Sequence, residues 1–280
     1  MTDSVGTGSG ALRSNSAAVE ATLQEPDVHK RWHDAFKTPA NAPFYDLAFD
    51  HIVKVAGVAE GASFLDAGCG IGDYAVRLAK RGMRVVAVDF SESVLKMARE
   101  NVERSGLQGR IKIQHENILS LSFDDEMFDG VLCWGVLMHI PDVERAISEL
   151  ARVVRRGGIV VISEGNMYSL EAALLRALRR VLGKNSAEVR RPSAGLEYWA
   201  TTAAGLLVTR EADIRWLIGR FERAEFRVIR HVAGQFTELY TRASAGLMQG
   251  VIHWFNGVWF KYVKLPQPAF GNLLIFRKRS

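Results

Sequence analysis

The sequence predicts an α/β protein whose core is an open parallel sheet. Three observations carry that prediction. An apolar run, Phe64-Leu65-Asp66-Ala67, passes into glycines at alternate positions, Gly68, Gly70 and Gly72, and then into a helical pattern from Asp73. A second run, Arg84–Val88, ends in Asp89, seventeen positions after Gly72. Short apolar runs at 110–115, 130–135 and 159–164 alternate with helical patterns at 91–104 and 142–155. Strands interleaved with helices of this length require crossover connections, and these build a parallel sheet.

Each glycine removes a Cβ where strand turns into helix, so a ligand can approach bare backbone. The helix N-terminus that follows is expected to offer unpaired N–H groups. In dinucleotide-type folds an acidic residue ending the second strand accepts hydrogen bonds from ribose hydroxyls. Asp89 therefore predicts a nucleoside-bearing ligand at the C-terminal edge of a parallel sheet. Ser91 suits an N-cap for the helix after it.

The glycine spacing separates the nucleosides. A pyrophosphate fingerprint reads G-x-G-x-x-G, whereas residues 66–72 read D-x-G-x-G-x-G. Together with Val88-Asp89-Phe90-Ser91, Phe128-Asp129-Gly130-Val131-Leu132 and Arg155-Arg156-Gly157-Gly158, this resembles the class I S-adenosylmethionine-dependent methyltransferases of small-molecule type. The resemblance runs from the end of the N-terminal tail to about residue 165.

That resemblance implies a seven-stranded sheet whose last strand is antiparallel, S-adenosyl-L-methionine as cofactor, no metal, and a small-molecule acceptor. It places Asp66, Gly68, Cys69, Gly70 and Gly72 around the cofactor at the bend. Asp89 and Phe90 follow at the end of the second strand, and Cys133 and Trp134 at the end of the fourth. Asn117 and Ile118 fall where the family holds adenine. The family's usual aspartate is Asn117 here, a neutral acceptor through its carbonyl oxygen. Helices before the bend fold over the cofactor in this family. Tyr45 is then either a methionine-end contact or a packed core aromatic. The fourth strand lacks the N/D-P-P-Y/F sequence of amino-group methyltransferases, which argues against adenine methylation.

Composition sets outer bounds. The 280 residues can hold one large domain or a core domain with a cap. No apolar run reaches the roughly 18 residues that cross a bilayer. The first residues lack the basic-then-apolar pattern of a secretory signal. With two cysteines, Cys69 and Cys133, a cytoplasmic location is expected, with peripheral membrane contact left open. Residues 1–164 carry 18 Lys/Arg against 23 Asp/Glu, and residues 165–280 carry 18 against 8. The basic half either meets an acidic partner or is a solvated face.

Residues 1–25 are rich in Ser, Gly, Thr and Ala without apolar period, and are expected to be a disordered tail. Residues 26–60 read as N-terminal helices over the cofactor and 61–164 as the Rossmann-like core. Residues 209–236 supply a core helix and strand, and 267–280 the final antiparallel strand. Two stretches are left over, 165–208 and 237–266. Both follow parallel strands, so both emerge at the ligand edge and are expected to cap the acceptor.

In the first insertion Leu170, Leu174, Leu175, Leu178, Val181 and Leu182 fall on one side of a helix, with only Glu171 among them. Arg176, Arg179, Arg180 and Lys184 fall on the other. Such a helix either lies on an anionic membrane or packs its apolar side on its own protein. The second insertion has five aromatics within 254–262. It reads as a cap helix lining an apolar acceptor pocket; a buried hairpin or a homodimer contact is the alternative.

An aliphatic hydroxyl acceptor needs a base, whereas a phenolate or an amine can react without one. His139, just beyond the fourth strand, is the first candidate; Glu164, Tyr198, His231 and His253 are others. The favoured reading is O-methylation of a small apolar or lipid- or sugar-linked metabolite, the cationic half facing an anionic or lipid-linked substrate or a membrane surface. An RNA-directed enzyme and a non-catalytic cofactor-binding regulator are the alternatives. The absence of a recognisable RNA-binding module argues against nucleic acid.

Overall fold

The computed structural model describes residues 7–183, 187–242 and 246–280, with side chains from residue 15. Seven strands make one sheet: β1 Ser63–Ala67, β2 Arg84–Asp89, β3 Ile111–His115, β4 Phe128–Trp134, β5 Val154–Gly165, β9 Phe226–Ala233 and β10 Gly271–Lys278. Their order is β3-β2-β1-β4-β5-β10-β9. The pairs within β1 to β5 are parallel, and β10 runs antiparallel to both its neighbours. The chain reverses direction at β1, and the crevice beside that reversal is where open α/β sheets bind ligands.

Helices cover both faces. α3 Ala42–Ala56, α4 Asp73–Ala79 and α5 Glu92–Arg104 bury Phe49, Ile52, Leu78 and Leu95 against one. α6 Val143–Val153 and α8 Ile214–Arg223 bury Ile147, Leu150, Leu217 and Phe221 against the other. Each such side chain contributes about 1.5–3 kcal/mol by leaving water. Asp142 caps α6 through Arg145 N, and Asp213 caps α8 through Arg215 N and Trp216 N. Ser91 precedes α5 but does not cap it. Its hydroxyl meets Ser93 Oγ and Gln24 O instead.

The N-terminal expectation is corrected. α1 Thr7–Leu23 is helical, and α2 Pro26–Phe36 follows it. Val19, Leu23 and Val28 pack with Trp199 and Val208 in a small core of their own. The tail looks featureless because the surface it covers belongs to a distant insertion. That insertion holds α7 Leu170–Val181 and a sheet of β6 Glu188–Arg190, β7 Gly195–Thr202 and β8 Gly205–Ala212. It therefore extends to residue 212, not 208, and α8 starts only after Asp213.

Of the two expectations for α7, packing of its apolar side on its own protein is the one not met. Glu171 and Ala172 are buried, while Leu170, Leu174, Leu178, Val181 and Leu182 are exposed. Polar bonds turn the helix: Glu171 Oε2 accepts from Thr237 Oγ1 at 2.6 Å and Glu238 N at 2.9 Å, and Arg176 pairs with Glu211. Lys184 lies outside the described residues. In the second insertion α9 Leu247–Val258 packs Phe255 and Trp259 on Phe236. Its aromatics do not line the cavity described below; residues 235–242 stand between.

Candidate active site

The cavity opens above the glycine bend, at the C-terminal ends of β1, β2 and β4, and encloses about 580 Å³. Gly68, Gly70 and Gly72 have φ of +77°, +53° and +80°, a region that costs other residues about 1 kcal/mol or more. A Cβ on Gly68 would stand 2.6 Å from Val136. One on Gly70 would meet no atom within 4 Å, and Gly70 lines the cavity.

Asp89 fixes the bend. Its Oδ2 accepts from Gly70 N at 3.0 Å and its Oδ1 from Ser91 N at 3.1 Å. Each oxygen keeps a further lone pair for a hydroxyl. Within the bend Gly68 and Cys69 donate to Val88 O, and Gly72 donates to Cys69 O. A crevice with Asp73 and Asp89 on its wall repels a pyrophosphate and suits a cationic, hydroxyl-bearing nucleoside.

Lys37, just past α2, enters from above. Its Nζ lies 3.1 Å from the centroid of the Tyr74 ring and 4.4 Å from that of Tyr45. Trp134 joins these rings, its centroid 5.2 Å from Tyr74 and 5.9 Å from Tyr45. The ammonium is buried without a hydrogen bond, and burial pulls its pKa down to about 7. Asp66 is buried under the bend, and burial pushes its carboxyl up to about 7. A buried ammonium with no hydrogen bond among the described residues marks a site that a ligand completes. An aromatic cage around a cationic side chain suits a sulfonium, and Lys37, on the cavity wall, matches the carboxylate end of S-adenosylmethionine. The residues fit that cofactor.

His139 stands at the other end, in a turn at Leu137–His139. Its Nδ1 lies 2.9 Å from Val208 O. A carbonyl only accepts, so Nδ1 carries the hydrogen and Nε2 the lone pair. Burial lowers the pKa to about 4, and the ring is neutral. Arg210 of β8 holds the turn: it donates to Leu137 O at 2.7 Å and Ile140 O at 3.0 Å and pairs with Glu197. The far wall is mixed. Met138 and Leu175 are apolar, Arg179 lies 5.0 Å over the Tyr198 ring, and Glu238 and Arg242 face in from the second insertion. Burial raises Glu238 to about 8.

Among the residues predicted from sequence, Tyr45, Gly68, Cys69, Gly70, Asp89, Phe90, Ile118, Trp134 and His139 line this one cavity. Asp66 and Gly72 support the bend from behind. Asn117 is displaced from its expected role: Oδ1 accepts from Leu119 N at 2.9 Å, closing a turn, and Glu116 and Ile118 reach the cavity instead. Cys133 is fully buried on the opposite face of the sheet with Leu137 and Val143, because successive residues on β4 alternate sides. Tyr198 lines the cavity, whereas Glu164 is buried under Leu137 N, His231 bonds Asn272, and His253 stacks beside Tyr240. Trp32, Lys37, Glu171 and Arg242 went unforeseen. Trp32 sits in an aromatic segment visible in the sequence; Lys37 has no periodic signal around it.

Among the described residues no cluster of three or more His, Cys, Asp or Glu could hold a metal ion. Nor is any described helix long and apolar enough to cross a membrane.

Known proteins share this fold. The family described as "Methyltransferase domain" matches residues 65–162. A ubiquinone biosynthesis O-methyltransferase from Alkalilimnicola ehrlichii is 34% identical over 174 residues, covering 58% of this chain and 68% of the relative. The chain belongs to the class I S-adenosylmethionine-dependent methyltransferase family. The methyltransferase is also 28% identical over 212 residues to the demethylmenaquinone methyltransferase of Bacillus subtilis, covering 72% of this chain and 80% of that one. Among solved structures, a magnesium protoporphyrin IX methyltransferase from Synechocystis with bound SAH aligns at a TM-score of 0.58 and 15% identity, covering 89% and 93% of the two chains. A SAM-dependent methyltransferase from Methanosarcina mazei aligns at 0.56 and 20%, covering 81% and 97%. At these identities the structural likeness is one of fold. The protein is an S-adenosylmethionine-dependent methyltransferase of small molecules.

Proposed function

We propose that this methyltransferase transfers a methyl group to a hydroxyl of an apolar, ring-bearing or lipid-linked acceptor. The observation that carries the reading is His139: its Nδ1–H is tied to Val208 O, which leaves Nε2 as a fixed proton acceptor on a cavity wall shared with Met138 and Leu175. Relatives named for ubiquinone and demethylmenaquinone support an apolar acceptor.

S-adenosylmethionine supplies an activated methyl on a sulfonium. With the cofactor bound, Asp89 would hold the ribose hydroxyls, Gly70 would leave the nucleoside room, and Ile118 and Phe90 would flank the base. Tyr45, Tyr74 and Trp134 would face the sulfonium and Lys37 the carboxylate end. His139 Nε2 would accept the acceptor's hydroxyl proton as the hydroxyl oxygen takes the methyl group and the demethylated cofactor leaves. The developing imidazolium is disfavoured by burial, so an acidic phenol or enol is a better acceptor than an aliphatic alcohol. Trp32 and Arg210 hold the ring in place and close the site to water.

The test is a panel of phenols, quinols, aliphatic alcohols and amines of graded chain length, incubated with methyl-labelled cofactor. Labelled O-methyl ethers of the apolar phenols are expected. Label only in amines, or only in water-soluble alcohols, would overturn the reading.

A further inference from the structure

The apolar side chains of the two insertions point away from the protein. On α7, Leu170, Leu174, Leu178 and Val181 are 61, 63, 49 and 82% exposed. On α9, Leu247, Met248, Val251 and Trp254 are 87, 65, 52 and 67% exposed. Tyr262 and Leu265 extend this face past the end of α9. Monomeric proteins rarely leave so many large apolar groups together in water.

The two helices are fastened to one point. Thr237 is held by Glu171 of α7 and by Asn256 of α9, which accepts from Thr237 N at 3.1 Å and donates to Thr237 O at 2.9 Å. Leu170 N also donates to Pro268 O at 3.1 Å, so the start of α7 adjoins the segment that carries Leu265. Glu238, Thr241 and Arg242, close to Thr237, line the cavity, as do Leu175 and Arg179 of α7. The helix that carries the exposed leucines therefore borders the cavity.

Its charge is of one sign. Arg180, Lys261 and Lys264 are exposed beside it and make no ion pair among the described residues. No Asp or Glu occurs after Glu238, and the one acid of α7, Glu171, is buried. Leucine and tryptophan flanked by unpaired cations, with carboxylates absent, match an anionic lipid surface.

We propose that α7, α9 and residues 262–265 dock the enzyme on an anionic membrane, with the cavity mouth at the lipid boundary. Leucines and Trp254 enter the headgroup region while Arg180, Lys261 and Lys264 contact lipid phosphates. This rests on the apolar-acceptor reading and deepens it: the acceptor is met in the membrane and slides into the cavity beside α7 without crossing water.

The test is flotation of the full chain with vesicles of phosphatidylcholine alone and with about 30% phosphatidylglycerol, at low and high salt. Binding to the anionic vesicles, weakened by salt and nearly absent on phosphatidylcholine, is expected. The triple variant Leu174→Gln/Leu178→Gln/Trp254→Gln should lose about tenfold or more of that affinity, with unchanged melting temperature and unchanged affinity for S-adenosylhomocysteine. No anionic binding at low salt, or binding that the triple variant retains, overturns the proposal. So does a wild-type dimer that the variant turns into monomers with no vesicle binding in either, which assigns the face to a second copy. Flotation needs no turnover. An enzyme that docks but methylates only water-soluble acceptors defeats the apolar-acceptor reading alone; one that methylates apolar phenols without docking defeats this one alone.

Discussion

Trp32 lies flat against His139, their ring centroids 4.4 Å apart and their planes 18° apart. The stack joins the N-terminal lid to the turn after β4. It also fills one side of the imidazole with indole carbon, which contributes to the low pKa of about 4. His139→Ala should therefore lower kcat by about 10²-fold or more at saturating acceptor, with cofactor affinity unchanged. Trp32→Ala frees the ring to rotate and should lower kcat less, while raising KM by opening the lid. Turnover of labelled methyl checks both, and an unaltered kcat in His139→Ala retires the base.

Gly68 and Gly70 differ by two positions and predict opposite phenotypes. Alanine at Gly68 puts a methyl 2.6 Å from Val136, so the fold must shift and the melting temperature should drop by several degrees. Alanine at Gly70 meets nothing within 4 Å. Its backbone strain costs only about 1 kcal/mol, but the methyl stands where the nucleoside must approach. Gly70→Ala should stay folded and lose about tenfold or more in affinity for S-adenosylhomocysteine. Calorimetric titration and thermal melting separate the two.

The core was legible because each of its elements announces itself within a few residues. The run into Gly68, the carboxylate ending β2 at Asp89 and the alternation along β4 are local signals. The roof was not legible, because its partners are far apart in sequence. Val19 and Leu23 are buried only because Trp199 and Val208 stand over them, and nothing near residue 20 says so. The orientation of α7 was hidden for a related reason. Periodicity assigns its leucines to one side, but Glu171 is drawn inward by Thr237 and Arg176 by Glu211. Asn117 shows a third limit: its carbonyl oxygen is taken by Leu119 N two residues away.

Arg210 and Glu197 form a buried ion pair, their side chains 3 and 9% exposed. Arg210→Met leaves Glu197 uncompensated and should cost about 3–5 kcal/mol. It also releases the carbonyls of Leu137 and Ile140, so kcat should fall along with stability. Arg210→Met/Glu197→Leu removes both charges and should recover much of the stability. The turn bearing His139 stays unanchored in that double variant, so activity should remain low. Denaturant melts with parallel assays test this; recovery of both together would mean Arg210 does not position His139.

Glu164 gives the protein a pH signature. Its carboxyl is buried beside the turn, with Oε1 accepting from Leu137 N at 3.0 Å. Burial raises its pKa from the ordinary 4.5 to about 8, against the pull of Arg210. Between those values the native state keeps a proton that the unfolded chain has lost. The stability that this proton brings is complete below pH 4.5 and is lost as the pH rises through 8. Glu164→Gln keeps the acceptor for Leu137 N and carries no titrating proton. The variant should melt progressively above the wild type between pH 5 and 8, the difference growing by at most about 1.4 kcal/mol per pH unit, and the difference should level off below pH 4.5. A difference constant across that range would mean that Glu164 is already ionised in the folded protein, with Arg210 as its partner.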